Sequence, residues 1–202
     1  MSAEEVNDSK RRFLVASTTA VGAVGAGFVA VPFIKSWNPS AKAKAAGAAV
    51  KVDLSKLEEG QMITVEWRGK PVFIVKRNQK NLDDLEKHTD FLSDSNSENS
   101  VQPSYCANSA RARKEHSSIA IMEGVCTHLG CAPKHLPDLN NSFAGSLGSD
   151  WLGGFFCPCH GSKYDLSGRV YSGMPAPLNL PIPPYKYLSE SLVLVGEDGE
   201  KA

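Results

Sequence analysis

The sequence predicts an all-β head domain carried behind one N-terminal transmembrane α-helix, and three observations predict it. Phe13 to Ile34 is a run of 22 residues without a charge. From Val50 onward, short apolar or alternating stretches recur between Gly, Pro, Asn and Asp, the pattern of strands and turns. Four of the five cysteines and two of the five histidines fall in two short runs, GVCTHLGCAP at residues 124–133 and FFCPCHGSKY at residues 155–164. The 22 basic and 22 acidic side chains cancel, so nothing in the charge balance recruits nucleic acid or another polyanion.

As a helix, the uncharged run would extend roughly 33 Å, about one hydrocarbon core. Ahead of it, SKRRFL at residues 9–14 resembles the twin-arginine export signal, with Lys10 standing where that pattern has arginine. The resemblance implies export of the folded chain, as a cofactor inserted in the cytoplasm would require. Ala41 to Ala43 and Ala43 to Ala45 each form an A-x-A cleavage site. The apolar run nevertheless exceeds the roughly 7 to 15 residues of a signal-peptide core, so it is expected to stay as an uncleaved anchor. Lys10, Arg11 and Arg12 on one flank balance Lys35, Lys42 and Lys44 on the other, and basic residues alone do not orient the span. Then comes NPSAKAKAAGAAV at residues 38–50, with no bulky apolar residue before Val50. It is expected to be a linker with both extended and helical forms accessible. The predicted organisation is residues 1–12 as a cytoplasmic N-terminus, 13–34 as the transmembrane helix, 35–50 as a flexible linker and 51–202 as the head.

In the head, QMITVEW alternates, with Gln61, Ile63, Val65 and Trp67 on one face and Met62, Thr64 and Glu66 on the other. RGKP then turns the chain into VFIVKR, which predicts a hairpin. SSIAIM, GGFF, GRVYSG and SLVLVGE supply further short strands. NLDDLEKH at 81–88 is expected to be a short helix started by acidic residues, SDSNSENSVQPS at 93–104 a polar loop, and Pro137 to Gly153 a surface loop.

The two short runs contain Cys126, His128 and Cys131, then Cys157, Cys159 and His160, with 25 residues between Cys131 and Cys157. Sulfur and imidazole in paired loops is metal-ligand spacing. A four-ligand zinc site would use two cysteines and two histidines, leaving two cysteines over; that reading makes the chain a zinc-stapled, membrane-tethered interaction module. The pattern C-T-H-L-G-C with C-P-C-H-G-S resembles instead the Rieske iron-sulfur proteins of cytochrome bc complexes. The likeness extends over signal, anchor, Ala-rich linker, both runs and the Pro-rich SGMPAPLNLPIPPY at 172–185.

That resemblance implies a head of antiparallel sheets with a small cluster-binding subdomain and one [2Fe-2S] cluster. Cys126 and Cys157 are then expected to bind one iron, His128 and His160 the other, while Cys131 and Cys159 form a disulfide joining the loops. It implies that Ser162 and Tyr164 donate hydrogen bonds that favour the reduced cluster. It also implies that His160 meets the quinol and that Leu129 and Gly130 help form an apolar docking tip. Four thiolates would leave an oxidised cluster doubly negative, whereas two thiolates and two neutral imidazoles leave it neutral. Such centres accordingly lie at roughly −150 to +300 mV, against about −400 mV for plant-type ferredoxins.

The expected function is that of an electron-transfer subunit, not catalytically complete alone, within quinol:cytochrome c oxidoreductase. It takes an electron and releases a proton from ubiquinol, and passes the electron to a cytochrome c type haem. Cytochrome b and a cytochrome c type subunit are the implied partners, in a dimeric, membrane-anchored, proton-translocating complex. The disulfide would place the head on the periplasmic side of a bacterial cell membrane.

Two other redox classes share part of the pattern. A ring-dioxygenase ferredoxin would need neither Cys131 and Cys159 nor an anchor. The Rieske subunit of arsenite oxidase has both export signal and disulfide and is the alternative, with a plastoquinol-oxidising counterpart a lesser one. Cys106 reads as a free thiol, and His88, His116 and His135 as surface or loop histidines.

Overall fold

A computed structural model describes residues 7–87, 89–137 and 142–199. His88, residues 138–141 of the loop expected over 137–153, and both chain ends lie outside the described residues. The chain divides into two compact units, residues 1–45 and 46–202.

In the first unit, α1 runs from Asp8 to Ser36, longer at both ends than its uncharged stretch. Asn7 caps it, its side chain accepting the Lys10 N–H at 3.1 Å, and Asp8 stands in the first turn where an acid suits the helix dipole. The SKRRFL signal is therefore helical. None of its residues is buried, and the helix is long and apolar enough to cross a membrane. Within the expected linker, α2 spans Ala41–Ala46, one of the two forms its alanine content allows. Ser40 opens it by accepting the Ala43 N–H at 3.1 Å.

The second unit is built of β1 Val50–Asp53, β2 Met62–Trp67, β3 Lys70–Lys76, β4 Ile119–Glu123, β5 Lys134–Leu136, β6 Gly154–Phe156, β7 Lys163–Tyr164, β8 Tyr185–Ser189 and β9 Leu192–Val195. Among the described residues they form three antiparallel sheets, ordered β1-β9-β8, β2-β3-β4 and β5-β6-β7. The expected hairpin is β2–β3, closed by Arg68 and Gly69, both at positive φ, the two-residue turn that matches strand twist.

The β2-β3-β4 sheet explains why VFIV and IAIM are continuously apolar. Val72, Ile74, Ile119 and Ile121 face one core, with Val52, Tyr185, Val193 and Val195 of the β1-β9-β8 sheet. Their alternate neighbours Phe73, Val75, Ala120 and Met122 face a second core that holds Cys126, Cys157 and Tyr164. Both faces of β3 and β4 are buried, so neither shows the polar alternation of a half-exposed strand. At the edge, β2 alternates as its sequence predicts: Ile63, Val65 and Trp67 pack inward while Thr64 and Glu66 are exposed.

Several local expectations change. The helix α3 is Gln79–Lys87 and has no acid in its first turn. Its start is a reciprocal cap instead: Asn78 N–H donates to Asn81 Oδ1 at 3.1 Å and Asn81 N–H to Asn78 Oδ1 at 2.9 Å. GRVYSG forms no strand, only isolated bridges of Val170 to Tyr164 and Tyr171 to Leu92. The described part of 137–153 contains a helical turn, α4 Ser142–Gly145, and buries Ala144 and Trp151 against Tyr171. It is more than a surface loop because its aromatic and small residues cover an apolar patch.

Candidate metal centre

The first cysteine-histidine loop leaves the buried end of β4 and returns as β5, while the second joins β6 to β7. The two are closed alike. Cys126 N–H donates to Cys131 O at 2.8 Å and Gly130 N–H to Cys126 O at 3.0 Å. In the second, Cys157 N–H donates to Ser162 O at 2.8 Å and Gly161 N–H to Cys157 O at 2.9 Å. Gly130 and Gly161 sit at φ of 84° and 81°, a left-handed conformation that lets so short a loop turn back. Phe155 stacks on Phe73 at 5.6 Å, fixing the small sheet to the β2-β3-β4 sheet.

Cys131 and Cys159 form a disulfide, with Cα atoms 6.7 Å apart, that ties the loops together. Cys126 and Cys157 remain free thiols, each only 2% exposed. The rings of His128 and His160 lie 4.7 Å apart and nearly perpendicular; His128 is half-buried and His160 exposed. Leu129 in the first loop is 71% exposed, and Gly130 beside it is exposed as well. The six predicted residues are therefore assembled in one place, with the two free thiols buried and the imidazoles and the disulfide nearer the surface.

This donor set fits a two-iron centre. Burial pushes the Cys157 thiol up, so water does little to stabilise its thiolate and a metal would do so instead. The Sγ atoms of Cys131, Cys157 and Cys159 also lie close together, but two of them are joined in the disulfide and offer no thiolate. Two free thiols and two imidazoles remain at the loops as donors able to hold a metal.

Hydrogen-bond donors surround the thiols. Tyr164 Oη is 3.2 Å from Cys126 Sγ, and burial raises its pKa, so its hydroxyl keeps its hydrogen and is able to donate to a thiolate there. Thr127 N–H donates to the same Tyr164 oxygen at 3.2 Å. Ser162 is fully buried, and its Oγ accepts the Ala176 N–H at 3.1 Å, leaving its own hydrogen free to donate. Sequence reasoning did not single out Thr127 or the main chain around Ala176 and Leu178. Their roles depend on contacts across 14 to 51 positions, for which the chain carries no local signal.

His135 and His116 lie apart from this arrangement. His135 is half-buried in β5 against Phe155 rather than on a surface, and His116 stacks on Tyr187 at 3.7 Å. Cys106 is fully buried, with its Sγ 3.6 Å from Tyr185 Oη, as befits a free thiol.

Residues 93–184 match the family described as Rieske [2Fe-2S] domain, and residues 1–40 that described as Ubiquitinol-cytochrome C reductase Fe-S subunit TAT signal. The chain is 52% identical to the ubiquinol-cytochrome c reductase iron-sulfur subunit of Allochromatium vinosum over 98% of its own length and 93% of that protein's. It is 42% identical to the subunit of the same name from Blastochloris viridis, over 96% and 97% of the two chains. Among solved structures, it aligns with a chain of a hyperthermophilic respiratory complex III at 27% identity and a TM-score of 0.46, covering 90% of this chain and 98% of that one. With the Rieske loops, the export signal and full-length identity of this order together in one sequence, the chain belongs to the family of ubiquinol-cytochrome c reductase iron-sulfur subunits, and one Rieske-type [2Fe-2S] cluster is its cofactor.

Proposed function

We propose that Cys126 and Cys157 hold one iron through their thiolates, that His128 and His160 each hold the other through one ring nitrogen, and that the head relays electrons from ubiquinol to a cytochrome c type haem. The observation that carries this is the divided donor set: two buried thiols behind two outward imidazoles 4.7 Å apart, on loops joined by a disulfide. When bound, the cluster supplies a one-electron acceptor of high potential.

The protein's own groups do the rest. Exposed His160 presents its outer ring nitrogen to the quinol, accepts a hydrogen bond from one hydroxyl, and takes that proton as the quinol gives up an electron. Leu129 and Gly130 form the docking tip, an apolar surface that keeps water from the transfer. Tyr164 would donate to the Cys126 thiolate and Ser162 would offer its hydroxyl hydrogen to the bound cluster, both favouring the more negative reduced state.

Cytochrome b and a cytochrome c type subunit are the partners, in a dimeric complex whose turnover contributes to proton translocation. Residues 13–34 anchor the chain in the cell membrane, with residues 1–12 cytoplasmic. Residues 35–50 let the head, 51–202, swing between donor and acceptor. The Cys131–Cys159 disulfide persists only in an oxidising compartment, which supports a periplasmic head.

Pulsed paramagnetic resonance on the reduced protein grown with ¹⁵N-histidine tests the ligand set. Two coupled histidine nitrogens are expected, and their loss with the cluster in Cys126→Ser or Cys157→Ser. A spectrum with one coupled nitrogen or none overturns the assignment.

A further inference from the structure

Asn179 is 1% exposed, and both ends of its side-chain amide are hydrogen-bonded. Its Nδ2 donates to Asp94 O and to Ser97 Oγ, both at 2.8 Å, and its Oδ1 accepts the Val170 N–H at 2.8 Å. Its own N–H donates to Ser100 Oγ at 3.1 Å. The loop it grips is organised around one carboxylate: Asp94 accepts the Glu98 N–H, the Asn99 N–H and the Ser100 hydroxyl, at 2.8, 3.1 and 2.8 Å. The stretch 93–104, expected to be only a polar loop, is a fixed pad under the Pro-rich run.

Two paths lead from Asn179 to the hydroxyl of Tyr164. One residue back, Leu178 O accepts the Thr127 hydroxyl at 2.6 Å, and Thr127 points both its N–H and its Oγ1 at Tyr164 Oη, each at 3.2 Å. On the other path, Val170, held by Asn179 Oδ1, bridges Tyr164 in antiparallel pairing. Asn179 thus fixes the Tyr164 strand from one side and the Thr127 tether from the other. Tyr164 Oη has one hydrogen to donate, and beside a thiolate the charged sulfur is its stronger acceptor. The Thr127 N–H donated into that oxygen polarises it and strengthens the bond to sulfur. Both effects depend on distances that weaken quickly when a partner shifts.

We propose that Asn179, seated on the Asp94 to Ser100 pad, is a positioning residue for the cluster's electronic tuning, holding Thr127 and Tyr164 so that the Tyr164 hydroxyl stays on the Cys126 sulfur. This rests on the assignment of Cys126 as a ligand that Tyr164 tunes. A residue that only supports the fold would change melting temperature and leave the midpoint potential alone.

The test is a double-mutant cycle on the full chain, read by the cluster's midpoint potential and its melting temperature. Tyr164→Phe is expected to lower the midpoint. Asn179→Ala is expected to lower it in the same direction by a smaller amount, and to have no further effect when added to Tyr164→Phe. Asn78→Ala removes a helix cap whose bonds reach neither Thr127 nor Tyr164; it is expected to lower the melting temperature and leave the midpoint unchanged. If Asn179→Ala yields no cluster, Ser97→Ala and Ser100→Ala loosen the same grip and are read the same way. An unmoved midpoint in Tyr164→Phe defeats the underlying assignment. A shift in Tyr164→Phe with none in the Asn179 or pad variants, or a full Asn179→Ala shift persisting in the Tyr164→Phe background, overturns the proposal itself.

Discussion

His135 illustrates how far burial can change a residue's chemistry. It pairs with Phe155 across β5 and β6, its Nε2 is buried without a partner, and burial lowers its pKa from 6.5 to about 4. The unfolded chain therefore takes up this proton near pH 6.5, while the folded head resists it until about pH 4. The stability linked to neutral His135 is complete above pH 6.5 and declines as pH falls through that window. In His135→Phe, melting temperature is expected to fall less between pH 6.5 and 4 than in the parent; parallel profiles would contradict it. Cys106 makes a similar point. Burial raises its thiol pKa, and it is sealed beneath Tyr185, so thiol reagents are expected to leave it unmodified until the head unfolds. Its lack of a partner in either loop was legible in the sequence. Its enclosure was not, because nothing near SYCANS specifies Tyr185, some eighty positions away.

The elements with the clearest periodicity were the most legible. The β2–β3 hairpin and β4 follow from alternation and from apolar runs, whose continuity reflects a sheet buried on both faces. Ile74 and Ile121 are fully buried there, and truncating either to alanine is expected to cost about 2 to 5 kcal/mol in denaturant unfolding. Less legible was β8, whose start at Tyr185 follows a Pro-rich stretch that hides a strand. GRVYSG reads as a strand because Val and Tyr favour one, yet the buried Asp165–Arg169 ion pair, at 2.7 Å, holds its start in a turn. The loops' candidate donor atoms were legible because they are written in residue type, whereas the bonds of Thr127 and Asn179 are made with distant partners. Loss of the loop-joining disulfide in Cys131→Ser frees a connection across 28 positions. By chain entropy that is worth about 3 to 4 kcal/mol. The variant is expected to lose its cluster at lower temperature, followed by visible absorbance; unchanged cluster stability and midpoint would show the bridge to be dispensable.

For the molecule as a whole, the duties proposed for anchor, linker and head can be distinguished by separate measurements. In sequence, the α2 helix lies between a helix fit to cross a membrane and a head with its own cores. Proline at Ala43 and Ala45 would deny that segment its helix and stiffen it. Quinol:cytochrome c turnover is expected to fall in that variant while the midpoint stays the same; full turnover would show that head motion on this linker is not required. The long apolar helix and the strand-rich unit after it were legible because composition changes abruptly between them. The burial that turns two loops into one centre was not, since it is made by sheets distant in sequence. One measurement tests the proposed redox centre most directly: a redox titration of the purified protein by visible circular dichroism, repeated from neutral to alkaline pH. A high midpoint that falls as pH rises is the predicted result, since the proposed function couples electron uptake to proton uptake at the imidazole ligands. A low midpoint that stays flat, or a colourless protein with no redox signal, would contradict it.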